Sequence, residues 1–225
     1  MSSLLLLESS GEICSVALTQ SGKIIQEKAI LEPNAHSLYL APFVADVLKS
    51  NGLTASQLDA VAISAGPGSY TGLRIGCSLA KGLCFGAGIP LIAVSTLKAL
   101  AQLARIEYPS AKHIISLIDA RRMDAYMGQY DEALRIHQDE TFVTINSDIK
   151  LPNKHVAVVG SGAAKFMAEL KLDKSDYNHV QSSLYARHML IEANDLWESQ
   201  TFVDLESYEP NYIKTVYVTK PKSKF

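Results

Sequence analysis

The chain has 225 residues and a formal net charge of −2, with 48% hydrophobic and 20% charged residues. This balance is that of a globular protein with a sizeable core, and it excludes disordered and fibrous classes. The near-zero charge lacks the basic excess of a protein that binds nucleic acid strongly by itself. The three cysteines, Cys14, Cys77 and Cys84, have neither disulfide nor zinc-site spacing, so we expect a cytoplasmic protein. No apolar run is long enough to cross a bilayer, so we expect no membrane contact.

The first half of the chain predicts a mixed sheet flanked by helices. Five segments have the pattern of strands: 4–7, 13–19, 23–31, 58–65 and 91–94. Helices are expected from apolar spacing around 40–48, from 71 to 86 and from 95 or 96 onward. We predict about five strands, three in a meander and two reached through helical crossovers.

The second half repeats this order in a shorter form. Strands are expected at 113–118 and 125–130, then after the turn 131–133, and at 156–159. Helices should follow residues 160–162 and cover roughly 184–199. We therefore predict two lobes, 1–108 and 109–225, and consider an arrangement in which the C-terminal tail packs back on the first. The tail lysines Lys214, Lys220, Lys222 and Lys224 are interpreted as a solvated terminus rather than an RNA contact.

The strongest local signal is the loop 66–72, with the sequence GPGSYTG, between a predicted strand and a predicted helix. Backbone N–H groups at such a helix start suit an anion. The spacing fails both the Walker and the dinucleotide fingerprints, however. A sharp turn that only seats the helix against the sheet explains the glycines equally well. The sequence leaves these two interpretations open.

Acidic residues follow a predicted strand in each half, at Glu8 and at Asp119. If the halves are similar, the two carboxylates could face each other across a cleft, as in a nucleotide–metal arrangement. Solvated turns are the simpler interpretation. The candidates for such a vestigial nucleotide site are Glu8, Gly68, Asp119, Gly160 and Gly162.

Small residues recur every fourth position of the helix after the loop, at Gly72, Gly76 and Ala80, and so share one face. Because each glycine costs a helix about 1 kcal/mol relative to alanine, another backbone is expected to pack there. That backbone could belong to a partner or to the chain's own sheet. His36 has no orienting partner nearby in sequence, so we interpret it as a surface contact rather than a catalytic base.

Residues 64–76, SAGPGSYTGLRIG, resemble the TsaB (YeaZ) family, whose members act with partners to make threonylcarbamoyladenosine on transfer RNA. The resemblance continues through His36, 80–83, 90–97 and 118–121. It implies an α/β protein of actin-like ATPase fold, with two lobes that each contain a mixed sheet flanked by helices.

The resemblance also implies a protein without catalytic residues, metal or cofactor of its own. Thr96 and Leu100 stand where the catalytic paralogue TsaD has paired metal-binding histidines, and Arg121 stands where a nucleotide binder would favour glycine. The implied function is a scaffold that activates a TsaD-like transferase. The alternative is an ATPase or metallopeptidase acting on its own through Glu8, the 66–72 loop, Asp119 and 160–162.

In this family the first-lobe helices contact TsaD, or a second copy as a homodimer when TsaD is absent, and a TsaE-like ATPase joins the larger complex. The expected interface residues are His36, Leu40, Gly72, Leu73, Gly76, Cys77, Ala80 and Leu83.

Overall fold

The computed structural model describes residues 2–181 and 183–213, which form ten strands and five α-helices. The first sheet contains β1 (Leu4–Glu8), β2 (Cys14–Gln20), β3 (Lys23–Ile30), β4 (Ala60–Gly66) and β5 (Leu91–Ser95). The second contains β6 (His113–Asp119), β7 (Asp124–Asp131), β8 (Ile136–Thr144), β9 (Val156–Val159) and β10 (Tyr177–Val180). The helices are α1 (Ala35–Ser50), α2 (Tyr70–Ala87), α3 (Thr96–Glu107), α4 (Ala163–Glu169) and α5 (Leu190–Glu198).

The two sheets have the same topology. Their strand orders are β3-β2-β1-β4-β5 and β8-β7-β6-β9-β10. In each sheet the first three strands form an antiparallel meander, and the last two run parallel to the central strand. This duplication confirms the predicted actin-like ATPase fold with two mixed sheets. The sequence did not predict β10, and α5 begins at Leu190, later than expected, after a 3₁₀ helix at Ala186–Met189.

The strand β1 shows why its apolar residues are continuous. Alternate side chains of a strand point to opposite faces of its sheet. Leu5 and Leu7 pack with α1 and α2 on the outer face, while Leu4 and Leu6 pack toward α3 and the second lobe. Both faces of the first sheet are therefore covered, and none of the four leucines contacts solvent.

The helix α3 lies in the core that joins the lobes. Its alanines and leucines belong to one cluster with Ile92 of the first sheet and with Ile114 and Ala157 of the second. The small side chains let both sheets approach the helix closely. On the other face of the second sheet, residues of β6 and β9 form a cluster that α4 covers through Phe166. The order of layers is thus α1/α2, first sheet, α3/α5, second sheet, α4.

The loop before α2 packs directly on the turn that follows β1. The Ser69 N–H donates to the Ser10 carbonyl at 2.7 Å. A Cβ added to Gly68 would lie 2.5 Å from that same carbonyl oxygen. A Cβ on Gly72 would overlap the Ser9 carbonyl oxygen, and one on Gly76 would overlap the Ser9 hydroxyl. These glycines therefore leave room for the turn after β1 to pack directly against the loop and α2.

The segment after α5 returns to the first lobe. Val203 forms an isolated bridge with Leu91, and the Asn211 N–H donates to the Ala65 carbonyl at 2.7 Å. The Lys81 ammonium donates to the carbonyls of Glu206 and Tyr208 at 3.3 and 3.2 Å. Lys214, Lys220, Lys222 and Lys224 lie outside the described residues. The division of the chain at 108/109 stays a prediction. Within the described ranges, no helix has both the length and the apolarity needed to span a membrane.

We expect Gly72→Ala to destabilise the protein, because its methyl group would overlap the Ser9 carbonyl oxygen. Overpacking of this kind costs about 1–3 kcal/mol. Gly82→Ala is the matched control, since a Cβ there meets no atom within 4 Å and alanine favours the helix by up to about 1 kcal/mol. Urea unfolding of both variants measures the two opposite shifts. Equal effects of the two substitutions would contradict the packing assignment.

Candidate functional site

An open cleft of about 960 Å³ lies between the lobes, where the loops after β1, β4, β6 and β9 meet. It is lined by backbone and side chains of both halves, including Gly68, Asp119 and Gly160. Three of the five predicted nucleotide-site residues therefore share this cleft. Glu8 and Gly162 do not line it.

The Glu8 carboxyl is completely buried behind the β1 turn. Its Oε1 accepts hydrogen bonds from the Ser10 N–H at 2.6 Å and from the Ser10 hydroxyl at 2.5 Å. The Ser64 hydroxyl is close enough to lower the pKa of Glu8, but Oε2 has no hydrogen bond of normal geometry within the described part of the chain. Burial outweighs these hydrogen bonds and raises the pKa of Glu8 to about 7. This carboxyl orders a turn and does not face the cleft.

The Asp119 carboxylate is 47% exposed and is engaged by Lys165 of α4 at 2.5 Å. The hydrogen bond from Lys165 is the largest cause that lowers the pKa of Asp119. The same ammonium donates to the carbonyls of Arg122 and Asp124 at 2.9 and 2.8 Å, so it holds the turn together. The two carboxylates do not face each other as free groups, because Glu8 is buried and Asp119 is ion-paired. The interpretation of the Glu8 turn as solvated is wrong, since the first residues of this turn are packed inside the first lobe.

The glycines of both lobes serve close packing. In the second lobe a Cβ on Gly160 would overlap the Leu117 carbonyl oxygen, and one on Gly162 would lie 3.1 Å from the Leu117 Cβ. The Ser161 hydroxyl accepts from the Asp119 N–H at 3.0 Å. This repeats the contact of the 66–72 loop with the β1 turn. The geometry favours the interpretation of the glycines as turns that seat a helix.

Two neighbouring positions bear on metal chemistry. Thr96 and Leu100 both line the cleft, and the Thr96 hydroxyl is buried with no hydrogen-bond partner in the described part of the chain. His36 lies elsewhere, with Nε2 3.3 Å from the Ile13 carbonyl oxygen, and burial lowers its pKa. Across residues 2–181 and 183–213, no three His, Cys, Asp or Glu side chains cluster as metal ligands would.

The small-residue face of α2 is buried within the chain, which corrects the expected interface. Gly72, Gly76 and Ala80 pack on the chain's own first lobe. Leu40, Leu73 and Cys77 are buried as well, so they offer no surface to a partner. Only His36 and Leu83 of the expected set are half-buried and so partly accessible.

The opposite side of the same helices is exposed and was missed by the sequence analysis. Phe85 is 84% exposed and Leu38 is 58% exposed. On α2 a second stripe of small residues, Ser78, Gly82 and Gly86, is exposed, and no atom of residues 2–181 and 183–213 lies within 4 Å of a Cβ added to either glycine. The four-residue spacing of this stripe was a signal in the sequence. We name the outer surface of α1 and α2, with these five residues, the α1–α2 face.

The repeated topology and the cleft between the lobes define a protein of actin-like ATPase fold. The model of the TsaD family, tRNA N6-adenosine threonylcarbamoyltransferase, matches residues 25–188. Within that wider family, the chain belongs to the TsaB (YeaZ) family, which confirms the resemblance.

Three relatives show the extent of this similarity. The tRNA threonylcarbamoyladenosine biosynthesis protein TsaB of Haemophilus influenzae is 40% identical over 56% of this chain, and that of Escherichia coli is 36% identical over 65%. The chain spans 52% and 63% of those two relatives' lengths. The solved structure of YeaZ from Pseudomonas aeruginosa is 31% identical, with a TM-score of 0.81 over 97% of this chain and all of that one.

We expect Glu8→Gln to change how stability depends on pH. Below about pH 4.5 the Glu8 carboxyl is protonated in both the folded and the unfolded chain. It therefore contributes no pH dependence to the free energy of unfolding in that range. Between pH 4.5 and 7 only the unfolded chain ionises, so the wild-type free energy of unfolding falls as pH rises. The loss saturates above pH 7 at about 3 kcal/mol. Glutamine cannot ionise, so urea unfolding from pH 4.5 to 8 should show the difference between wild type and variant change by that amount. A constant difference would contradict the buried state of Glu8.

Proposed function

We propose that this protein acts in the threonylcarbamoyladenosine modification of tRNA as a non-catalytic scaffold. Its partner is a TsaD-like transferase, which it binds and activates, and a TsaE-like ATPase joins the larger complex. In the absence of the transferase the same surface joins two copies of the chain. The observation that carries this proposal is the α1–α2 face.

The composition of the α1–α2 face fits helix-to-helix contact. Large apolar side chains such as Phe85 and Leu38 are exposed, although burial of such a side chain is worth about 1.5–3 kcal/mol. On α2, near Phe85, Gly82 and Gly86 lower the helix surface, and these glycines destabilise an isolated helix. A partner helix that packs against the glycines and covers Phe85 accounts for both features. An interface of standard size would bury roughly 800 Å² on each side.

The state of the cleft supports the absence of independent catalysis. An ATPase of this fold needs carboxylates and backbone N–H groups directed at a nucleotide. Here the buried Glu8 carboxyl accepts a hydrogen bond from the Ser10 N–H, and the Asp119 carboxylate is ion-paired with Lys165. The Ser69 N–H is donated to the Ser10 carbonyl. The groups that an ATPase would use are therefore committed to the folded structure.

Gly82→Arg tests the interface without disturbing the fold. Arginine is a good helix former, and a side chain here projects into open space, so the isolated chain should remain folded. The charged side chain would prevent close helix approach, and we expect at least a tenfold loss of affinity for the TsaD-like protein. Light scattering and calorimetry measure this loss. Ala164→Arg, at an exposed position of α4 in the other lobe, is the matched control and should bind normally.

Two outcomes would overturn this proposal. If Gly82→Arg binds the transferase as tightly as Ala164→Arg does, the α1–α2 face is not the interface. If the pure chain hydrolyses ATP with saturation, and Asp119→Ala removes that activity, the protein is an enzyme in its own right. We expect transferase activity to require this chain, and to be lost with Gly82→Arg in parallel with complex formation.

A further inference from the structure

A second concave surface lies on the second lobe, away from the cleft. It has a volume of about 680 Å³, and no acidic residue is among the eleven that line it. Six of the eleven are lysine or histidine, and with histidine neutral the three lysines give this surface a charge of +3, whereas the whole chain carries −2. We name these six the basic patch: Lys112, His113, His137, Lys150, Lys154 and His155.

The patch is held by partly buried hydrogen bonds. Gln129 of β7 is only 4% exposed, and its amide nitrogen donates to Gln138 Oε1 at 2.9 Å and to the Lys150 carbonyl at 3.3 Å. The Tyr177 hydroxyl donates to the Pro152 carbonyl at 2.5 Å. These contacts tie the loop 150–155 to the sheet, so the lysines on it are presented by an ordered backbone.

The charges of the patch are only partly compensated. Lys112 pairs with Glu132. Among the described residues, neither Lys150 nor Lys154 has a carboxylate within ion-pair distance. The rings of His113 and His137 add polar N–H groups, with centroids 6.3 Å apart. Two lysines without a carboxylate partner in one concavity produce a local positive potential that attracts anions.

We infer that the basic patch binds phosphate groups of an RNA backbone. Lysine ammonium groups and imidazole N–H groups are donors suited to phosphate oxygens. No Phe, Tyr or Trp lines the patch, so it offers no platform on which bases could stack. Contacts would therefore be to the backbone, sensitive to salt and indifferent to sequence. The choice of RNA over other phosphates rests on the proposed function in tRNA modification.

The position of the patch is compatible with that function. His113 begins β6 and Asp119 ends it, so the patch and the cleft lie at opposite ends of a strand roughly 20 Å long. The α1–α2 face belongs to the other lobe, on the outer side of helices whose inner sides pack on the first sheet. A partner bound there leaves the basic patch free to contact an RNA held mainly by that partner.

The test is binding of an unmodified tRNA transcript by the chain, measured by fluorescence anisotropy from 20 to about 200 mM salt. We expect weak binding at low salt that disappears toward physiological salt. The double variant Lys150→Gln/Lys154→Gln should weaken it about tenfold and reduce the salt slope by about 2. Lys23→Gln/Lys174→Gln removes the same charge from exposed sites outside the basic patch and the α1–α2 face, and should have little effect.

Two results would overturn the inference: no measurable tRNA binding at low salt, or equal losses in both double variants. The affinities of the chain and its variants for ATP and for inorganic phosphate are measured as well. If these bind as tightly as tRNA, and lose affinity in the Lys150/Lys154 variant, the occupant is a small phosphate and not RNA. Complex formation with the TsaD-like protein is measured on the same variants. Its retention with loss of tRNA binding separates this inference from the scaffold proposal.

Discussion

The contact between the 66–72 loop and the turn after β1 determines the arrangement of the first lobe. Gly68 lies over the Ser10 carbonyl, and Gly72 lies over the Ser9 carbonyl, closer than any side chain would allow. The helix α2 therefore starts against β1, and its inner stripe of small residues is used by the chain itself. The contact fixes the rotation of α2 about its own axis, and that rotation determines which residues of α2 are exposed to solvent. The α1–α2 face is the part of the helix layer that the contact leaves outside.

The second lobe contains the same kind of close contact between a loop glycine and a strand carbonyl. The two contacts together explain the shape of the cleft. Gly160 lies over the Leu117 carbonyl as Gly72 lies over Ser9. The loop glycines are thus required by strand-to-helix packing and, at Gly160, by a backbone φ of +101°. A cleft with well-formed walls persists because the fold needs those walls. The carboxyl behind one wall of the cleft, Glu8, is held by Ser10, and the carboxylate in the other wall, Asp119, is held by Lys165.

Most of the fold could be predicted because apolar runs and turn residues mark nine of the ten strands. The exception, β10, has two half-buried polar residues among its four and pairs only at the sheet edge, so no periodicity reveals it. The site was harder. Sequence places Asp119 at a strand end but gives no sign of Lys165, which lies 46 residues further along. It likewise shows two small-residue stripes on α2, at 72/76/80 and 78/82/86, without showing which one meets the sheet.

Net charge gives no information on local clusters of charge, for a related reason. It averages over the surface, whereas at physiological salt each charge acts over about 8 Å. Acidic residues elsewhere in the chain can therefore balance the sum without weakening a cluster such as Lys150 and Lys154. A scaffold in a tRNA-modifying complex needs little affinity for RNA of its own. Within a complex, even a weak contact acts at high effective concentration once the partner has bound the same RNA. A small basic patch on a nearly neutral protein is sufficient when the partner provides most of the affinity for the RNA.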